Sequence, residues 1–206
     1  MRVIFILSIC LLFASCGKKR TIVITATNGA TGERYVGLQY YVVYSTTGGN
    51  GEKYKTVKSG LLDANGEATE TLYPIQGRTY AVRVVEPENS CYNKEITMYF
   101  GGANDKNGHF DFVFAPCAYL NQDIVNVNCE GSSDVFTVRD RFSYTEWSGW
   151  SVDLLGCYSN TGGDYSSVPA GKRYFQWKVS RQSGVTEGID SLELAPGEYG
   201  TIVIHY

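Results

Sequence analysis

The amino-acid sequence predicts an all-β protein, two consecutive antiparallel β-sandwiches behind a short N-terminal leader. Three observations predict it. The 206 residues include 16 Tyr, 9 Phe, 3 Trp and 23 Gly but only 5 Pro and 2 Met, a mixture of strand formers and turn formers. Beyond Thr21 apolar residues recur at every second position, and no segment sustains a helical period. Turn signals interrupt these runs at roughly ten- to fifteen-residue intervals, the rhythm of a sandwich. Charged residues are 19% of the chain and the formal net charge is -3. That balance excludes a disordered tail and argues against a nucleic-acid partner, which calls for a clustered basic face.

The leader comes first. Arg2 precedes an apolar run from Val3 to Ala14 broken only by Ser8. Twelve helical residues span about 18 Å against a hydrocarbon core of about 30 Å. The run therefore reads as a secretory signal peptide, residues 1–15, and not as a membrane span. Its end, Leu12-Phe13-Ala14-Ser15-Cys16-Gly17, resembles the lipobox of bacterial lipoproteins, with Phe13 where leucine is usual. The resemblance implies that Cys16 becomes the new N-terminus and carries a thioether-linked diacylglycerol and a palmitate-type acylated amine. At about 0.8 kcal/mol per buried methylene, two or three such chains anchor a protein stably in a membrane.

The alternative is an ordinary cleaved leader with Cys16 as a further disulfide cysteine. Cysteine parity favours the lipid: of the 6 cysteines, setting aside Cys10 and Cys16 leaves an even set. Residues 16–20 then form a tether whose Lys18, Lys19 and Arg20 would lie near anionic head groups. No acidic residue follows Cys16 directly. By resemblance to lipoprotein sorting signals this implies the outer membrane of the bacterial envelope, facing the periplasm.

The first β domain is placed at residues 21–117. Ile22, Ile24 and Ala26 share one strand face; Leu38, Tyr40, Val42 and Tyr44 share the next. Tyr80, Val82 and Val84 follow, then Phe110, Phe112 and Phe114. Between them lie Asn28-Gly29, Thr31-Gly32, Gly48-Gly49-Asn50-Gly51, Asp63-Ala64-Asn65-Gly66 and Gly101-Gly102. The opening strand running into Thr31-Gly32-Glu33, the Leu38–Tyr44 strand and an Asp63–Gly66 hairpin together resemble the prealbumin-like, carboxypeptidase-regulatory-like sandwich. That resemblance implies a spacer or adhesion platform without catalytic activity.

The second β domain, residues 118–206, is read as immunoglobulin-like. Phe136, Val138 and Phe142 alternate, as do Phe175, Trp177 and Val179, Leu192 and Leu194, and Ile202 and Ile204. Phe110–Val127 is nearly continuous strand-like sequence, punctuated only by Pro116, so one large sandwich is the alternative to two.

Cys91, Cys117, Cys129 and Cys157 allow three pairings. A strand over Tyr119–Val127 would hold Cys117 and Cys129 about 30 Å apart, far beyond the roughly 7 Å between Cα atoms that a disulfide tolerates. The predicted bonds are Cys91–Cys117 in the first domain and Cys129–Cys157 in the second, as an oxidising compartment would preserve. No two of these cysteines have zinc-site spacing, and no metal or cofactor is predicted.

The histidines are His109 and His205. His109 lies near Asp105 and Asp111 beside the turn Asn104–Gly108, but Lys106 and the spacing oppose a calcium loop. Gly-x-Ser-x-Gly, Walker, dinucleotide-binding and His-Glu-x-x-His motifs are absent. The chain is therefore read as no enzyme. The competing readings are a hydrolase built on His109 and Asp111 in an inter-domain cleft, and an assembly component that pairs through an edge strand.

One string stands out. Trp147-Ser148-Gly149-Trp150-Ser151 matches Trp-Ser-x-Trp-Ser, the signature of cytokine-receptor fibronectin domains, where tryptophans interleave with arginines of a neighbouring strand. Arg139 and Arg141 alternate onto one face of the preceding strand, so a cation–π ladder is within reach. The match spans five residues behind a bacterial-type leader and is read as a local device, without kinship to receptors. Tyr144, Trp147, Trp150, Tyr158 and Tyr165 form an aromatic-rich stretch. Its expected role is filling the sandwich core. The sharper alternative is an exposed platform for a glycan or protein partner. The combined expectation is a membrane-anchored, non-catalytic binding or structural module.

Overall fold

The computed structural model describes residues 19–48, 51–75, 77–91, 96–100 and 108–206. The lipobox-like segment Leu12–Gly17 with Cys16, the Gly49-Asn50 and Gly101-Gly102 signals and Asp105 lie outside them. The described residues form fourteen β-strands and no helix, grouped in two compact units. One is drawn from Met1–Ala26, Tyr35–Val85 and Glu95–Phe112, the other from Thr27–Arg34, Glu86–Lys94 and Val113–Tyr206.

The first unit holds β1 (Arg20–Asn28), β2 (Gln39–Gly48), β3 (Gly51–Leu61), β4 (Glu67–Leu72), β5 (Tyr80–Val84), β6 (Ile96–Phe100) and β7 (Gly108–Phe114); the last residues of β1 and β7 count with the second unit. They make two sheets, ordered β4-β1-β7 and β3-β2-β5-β6. The period-2 rule places the core correctly: Ile22, Ile24, Phe110, Phe112, Tyr40, Val42, Tyr80, Val82 and Val84 are all buried. Each such side chain contributes about 1.5–3 kcal/mol on leaving water.

Tyr40 shows how polar tips are handled in this core. Its ring lies over Gly60, its partner in the β2–β3 register, where a side chain would meet the phenol oxygen at 2.6 Å. Its hydroxyl donates to Glu70 Oε1 at 2.7 Å, and Glu70 also meets Lys58 Nζ at 3.5 Å. Burial, and then the bond to the Glu70 carboxylate, push the Tyr40 phenol up to about 12.

The Asp63–Gly66 turn is correct in its chemistry but not in its destination. Asp63 Oδ1 accepts from the amides of Asn65 (2.8 Å) and Glu67 (2.9 Å), and these bonds hold its carboxyl below the usual range. Gly66 adopts φ 67°, which only glycine takes up freely. The strands on either side lie in different sheets, so the segment is an arch across the sandwich and not the predicted hairpin. Local turn residues specify a reversal; they do not specify the sheet that receives the next strand.

The second unit holds β8 (Cys117–Val125), β9 (Val135–Phe142), β10 (Leu154–Leu155), β11 (Ser166–Pro169), β12 (Gly171–Arg181), β13 (Gly184–Leu194) and β14 (Tyr199–His205), in sheets β10-β9-β12-β13 and β11-β8-β14. Ala118, Leu120, Ile124, Phe136, Phe175, Val179, Leu194, Ile202 and Ile204 form its core, with Trp177 and Leu192 packed at the margin. β14 runs parallel to β8, whereas the sequence predicts antiparallel sheets throughout. The chain leaves β13 in one sheet and enters β14 in the other, so the hairpin rule for consecutive strands does not apply to it.

The continuous run Phe110–Val127 is broken at Ala115-Pro116, since proline cannot donate to a ladder. Both predicted disulfides are present. Cys91–Cys117 has Cα atoms 4.4 Å apart and Cys129–Cys157 5.3 Å apart. Among the described residues all four cysteines fall in the second unit. Trp177 repeats the device of Tyr40: its indole covers Gly188, its register partner on β13, and its Nε1 donates to Asp190 Oδ2 at 2.8 Å. A glycine facing a large ring across two strands exchanges backbone exposure for ring contact.

Candidate functional site

The outward side chains of β9, β12 and β13 stand in rows set by register. Arg141 pairs with Tyr174, Arg139 with Gln176, Thr137 with Lys178 and Val135 with Ser180, while Lys178 also faces Glu187. After β9 the chain reverses and runs back along its free edge as a strap, residues 143–153.

The strap has a three-residue repeat that the sequence displays openly: Tyr144-Thr145, Trp147-Ser148, Trp150-Ser151. Each hydroxyl residue serves both backbone groups of one edge residue. The amides of Phe142, Asp140 and Val138 donate to the hydroxyls of Thr145 (3.0 Å), Ser148 (2.9 Å) and Ser151 (3.1 Å). In return the amides of Thr145 (3.2 Å), Ser148 (2.8 Å) and Ser151 (2.8 Å) donate to the carbonyls of the same residues. Three residues of strap thus match two of strand. This satisfies a row of edge groups that would otherwise remain open to other chains.

The aromatic members of the repeat build the ladder that Arg139 and Arg141 make possible. Arg139 lies over Trp150 (4.5 Å to the ring centroid) and over Trp147 (5.1 Å). Arg141 lies over Trp147 (4.9 Å) and over Tyr174 (5.2 Å), and Lys172 over Tyr174 (5.3 Å). Arg139 is further fixed by donating Nε and Nη2 to Gln176 Oε1 at 2.8 and 2.6 Å. Cation–π contacts contribute about 0.5–2 kcal/mol each, depending on desolvation. Trp150 at the end of the ladder is held by Arg139 and by the bonds of Ser151, yet it remains 42% exposed.

That exposure corrects the core-filling expectation at Trp150 and at Tyr165, which is 47% exposed. Both lie outside strands, where the period-2 rule assigns no inward side. The five aromatics do not form one patch. Trp147 and Trp150 share the ladder; Tyr144 stacks on Phe142 (5.5 Å) with Gly29 close beneath its ring. Tyr158 packs against the core and accepts through its carbonyl from the Tyr206 hydroxyl (2.6 Å). Tyr165 stands edge-on to Tyr199 (5.2 Å), which stacks on Tyr119 (4.3 Å). Tyr174 and Lys172 belong to the ladder unannounced by the sequence, because only the β9–β12 register brings them there.

Beside Trp150 lies an open groove of about 370 Å³, lined by Val135, Thr137, Ser151, Asp153, Lys178, Ser180 and Glu187. The hydrolase alternative finds a different geometry. In the first unit His109 Nε2 meets Asp111 Oδ1 at 2.9 Å, with both side chains more than half exposed. Thr25 Oγ1 donates to the same carboxylate oxygen. The carboxylate thus stands between hydroxyl and imidazole, whereas a hydroxyl–imidazole–carboxylate triad has the imidazole in that middle place. Among the described residues no group of three or more His, Cys, Asp or Glu is arranged to hold a metal.

No protein-family model and no curated protein matches the chain. Among solved structures the chain is similar to the Bacillus anthracis TIE protein, at 14% identity over 91% of this chain and 34% of that one, TM-score 0.36. It is also similar to a streptococcal ancillary pilin, at 12% identity over 91% and 62%, TM-score 0.37. A third is the shaft pilin SpaA from Lactobacillus rhamnosus GG, at 9% identity over 91% and 98%, TM-score 0.37. The chain spans about a third of the first and less than two thirds of the second. At these scores the likeness is one of all-β build and extends no further.

Proposed function

We propose that this protein is a lipid-anchored, non-catalytic binding module of the bacterial envelope. It would be held in the outer membrane through Cys16 and face the periplasm. The observation that supports binding is the strap: an exposed tryptophan held rigidly at the end of a six-residue ladder. Exposure of a large aromatic costs solubility, whereas fixing it beforehand lowers the entropy lost when a partner docks. The Leu12–Gly17 segment and the parity of the cysteines support the anchor. The test is metabolic labelling with palmitate in the native host. Wild-type protein is expected to incorporate label and to fractionate with membranes, and Cys16→Ala to do neither. Label retained by Cys16→Ala would overturn the anchor, and protease shaving of intact cells would overturn the periplasmic orientation if it removed the protein.

A second reading, assembly through an edge strand, is favoured by β14. Its seven residues contain no proline and no Asp, Glu, Lys or Arg, and no described strand pairs with it on the side away from β8. Val203 is 44% exposed on it. If this edge recruits a strand, Val203→Lys is expected to abolish concentration-dependent self-association in sedimentation without changing the fold. A monomer at all concentrations would remove the reading for copies of this chain.

A further inference from the structure

We infer that the groove beside Trp150 is a binding site for a neutral oligosaccharide; this deepens the binding-module reading above and rests on it. The groove has one wall of indole and a floor of polar side chains from the centre of a sheet. Thr137, Lys178 and Glu187 form one cross-strand row, and Ser180 stands in the next. Asp153 comes from the strap. The ring is presented edge-fixed: Arg139 occupies one contact and the Ser151 bonds hold the backbone behind it.

Such a surface suits a ligand with an apolar face fringed by hydroxyls. The C–H face of a pyranose stacks on the indole, and its hydroxyls both donate and accept. Carboxylates at Asp153 and Glu187 accept from them, while Lys178 and the hydroxyls of Thr137 and Ser180 donate. Lys178 Nζ and Glu187 Oε1 stand 3.8 Å apart, so a donor and an acceptor for neighbouring hydroxyls are side by side.

The other ligand classes fit less well. A polyanion would meet two carboxylates and one lysine. A lipid would find only Val135 and Trp150 to bury against. An extended peptide seeks unpaired backbone, but along this edge the strap hydroxyls and amides already occupy Val138, Asp140 and Phe142. The volume, about 370 Å³, lies at the low end of small-ligand clefts, about 300–1,000 Å³, and suits a short oligosaccharide segment.

The test is affinity electrophoresis of the full chain in gels carrying neutral polysaccharides (glucan, xylan, mannan and galactan), with heparin as the polyanionic comparison. At least one neutral polymer is expected to retard the wild type. Trp150→Ala should weaken that retardation by about ten-fold or more, as truncation of a central aromatic anchor does. Trp150→Phe should retain part of it, and Tyr199→Ala all of it. Circular dichroism of each variant separates lost binding from lost folding. Retardation by none of the neutral polymers, by heparin alone, or equally in Trp150→Ala overturns the inference. Membrane anchoring is read separately by palmitate labelling, so failure here leaves that result standing.

Discussion

Alanine at Asp134 is expected to lower the unfolding free energy by about 3–5 kcal/mol, the cost of leaving a buried partner charge uncompensated. Asp134 has no exposed surface, and Arg181, whose Nε lies 3.5 Å from its Oδ2, is 7% exposed. The carboxylate also accepts from the Glu130 amide at 3.0 Å, and the Arg181 guanidinium lies over the Tyr206 ring at 5.5 Å. Tyr206 in turn stacks on Phe136 at 4.2 Å. Removing the carboxylate therefore strands a cation beside the core. Urea unfolding followed by tryptophan fluorescence reads the loss. The double variant Asp134→Ala/Arg181→Met is expected to recover much of it, since the apolar replacement leaves no orphan charge. A single-variant cost below about 1 kcal/mol would show the pair to be dispensable.

Reduction of both disulfides should have a still larger effect, and in one unit only. The bonds join cysteines 26 and 28 residues apart, worth about 3.5 kcal/mol each in the chain-entropy account. Together this approaches the whole stability of an ordinary domain, about 5–15 kcal/mol. Both bonds lie in the second unit, and so do Trp147, Trp150 and Trp177. Tryptophan fluorescence thus reports that unit selectively, while far-UV circular dichroism reports the strands of both. With reductant, the fluorescence midpoint in urea is expected to fall steeply while a second dichroic transition persists. An unmoved fluorescence midpoint after complete thiol titration would contradict this.

Much of the core was legible because alternation is a local property. Ile22-Ile24-Ala26, Phe110-Phe112-Phe114 and Ile202-Ile204 each declare an inward face without reference to any partner. The disulfide pairing was legible in part for a related reason: β8 is long enough to hold Cys117 away from Cys129, which removes one of three pairings, and only the expected division near Cys117 chose between the other two. What escaped depends on register between distant segments. Tyr174 reaches the ladder only through its pairing with Arg141, and the Asp63 turn crosses between sheets because β1 and β2 seat the strands on either side of it. The strap lay between these cases. Its Tyr-Thr, Trp-Ser, Trp-Ser repeat is visible at a period of three, a spacing that searches for helices and strands pass over.

The interleaving of the two units limits how this chain can be cut and recombined. Thr27–Arg34 and Glu86–Lys94 belong to the unit that is otherwise built from Val113 onward. A fragment starting at residue 118 would forfeit both, together with Cys91 and Cys117, and could not serve as a transplantable cassette. During synthesis the ribosome releases these two segments long before the strands they join. A nascent chain must therefore carry them unpaired until Phe114–Cys117, to which Gly29, Ser90 and Cys91 bond, has emerged.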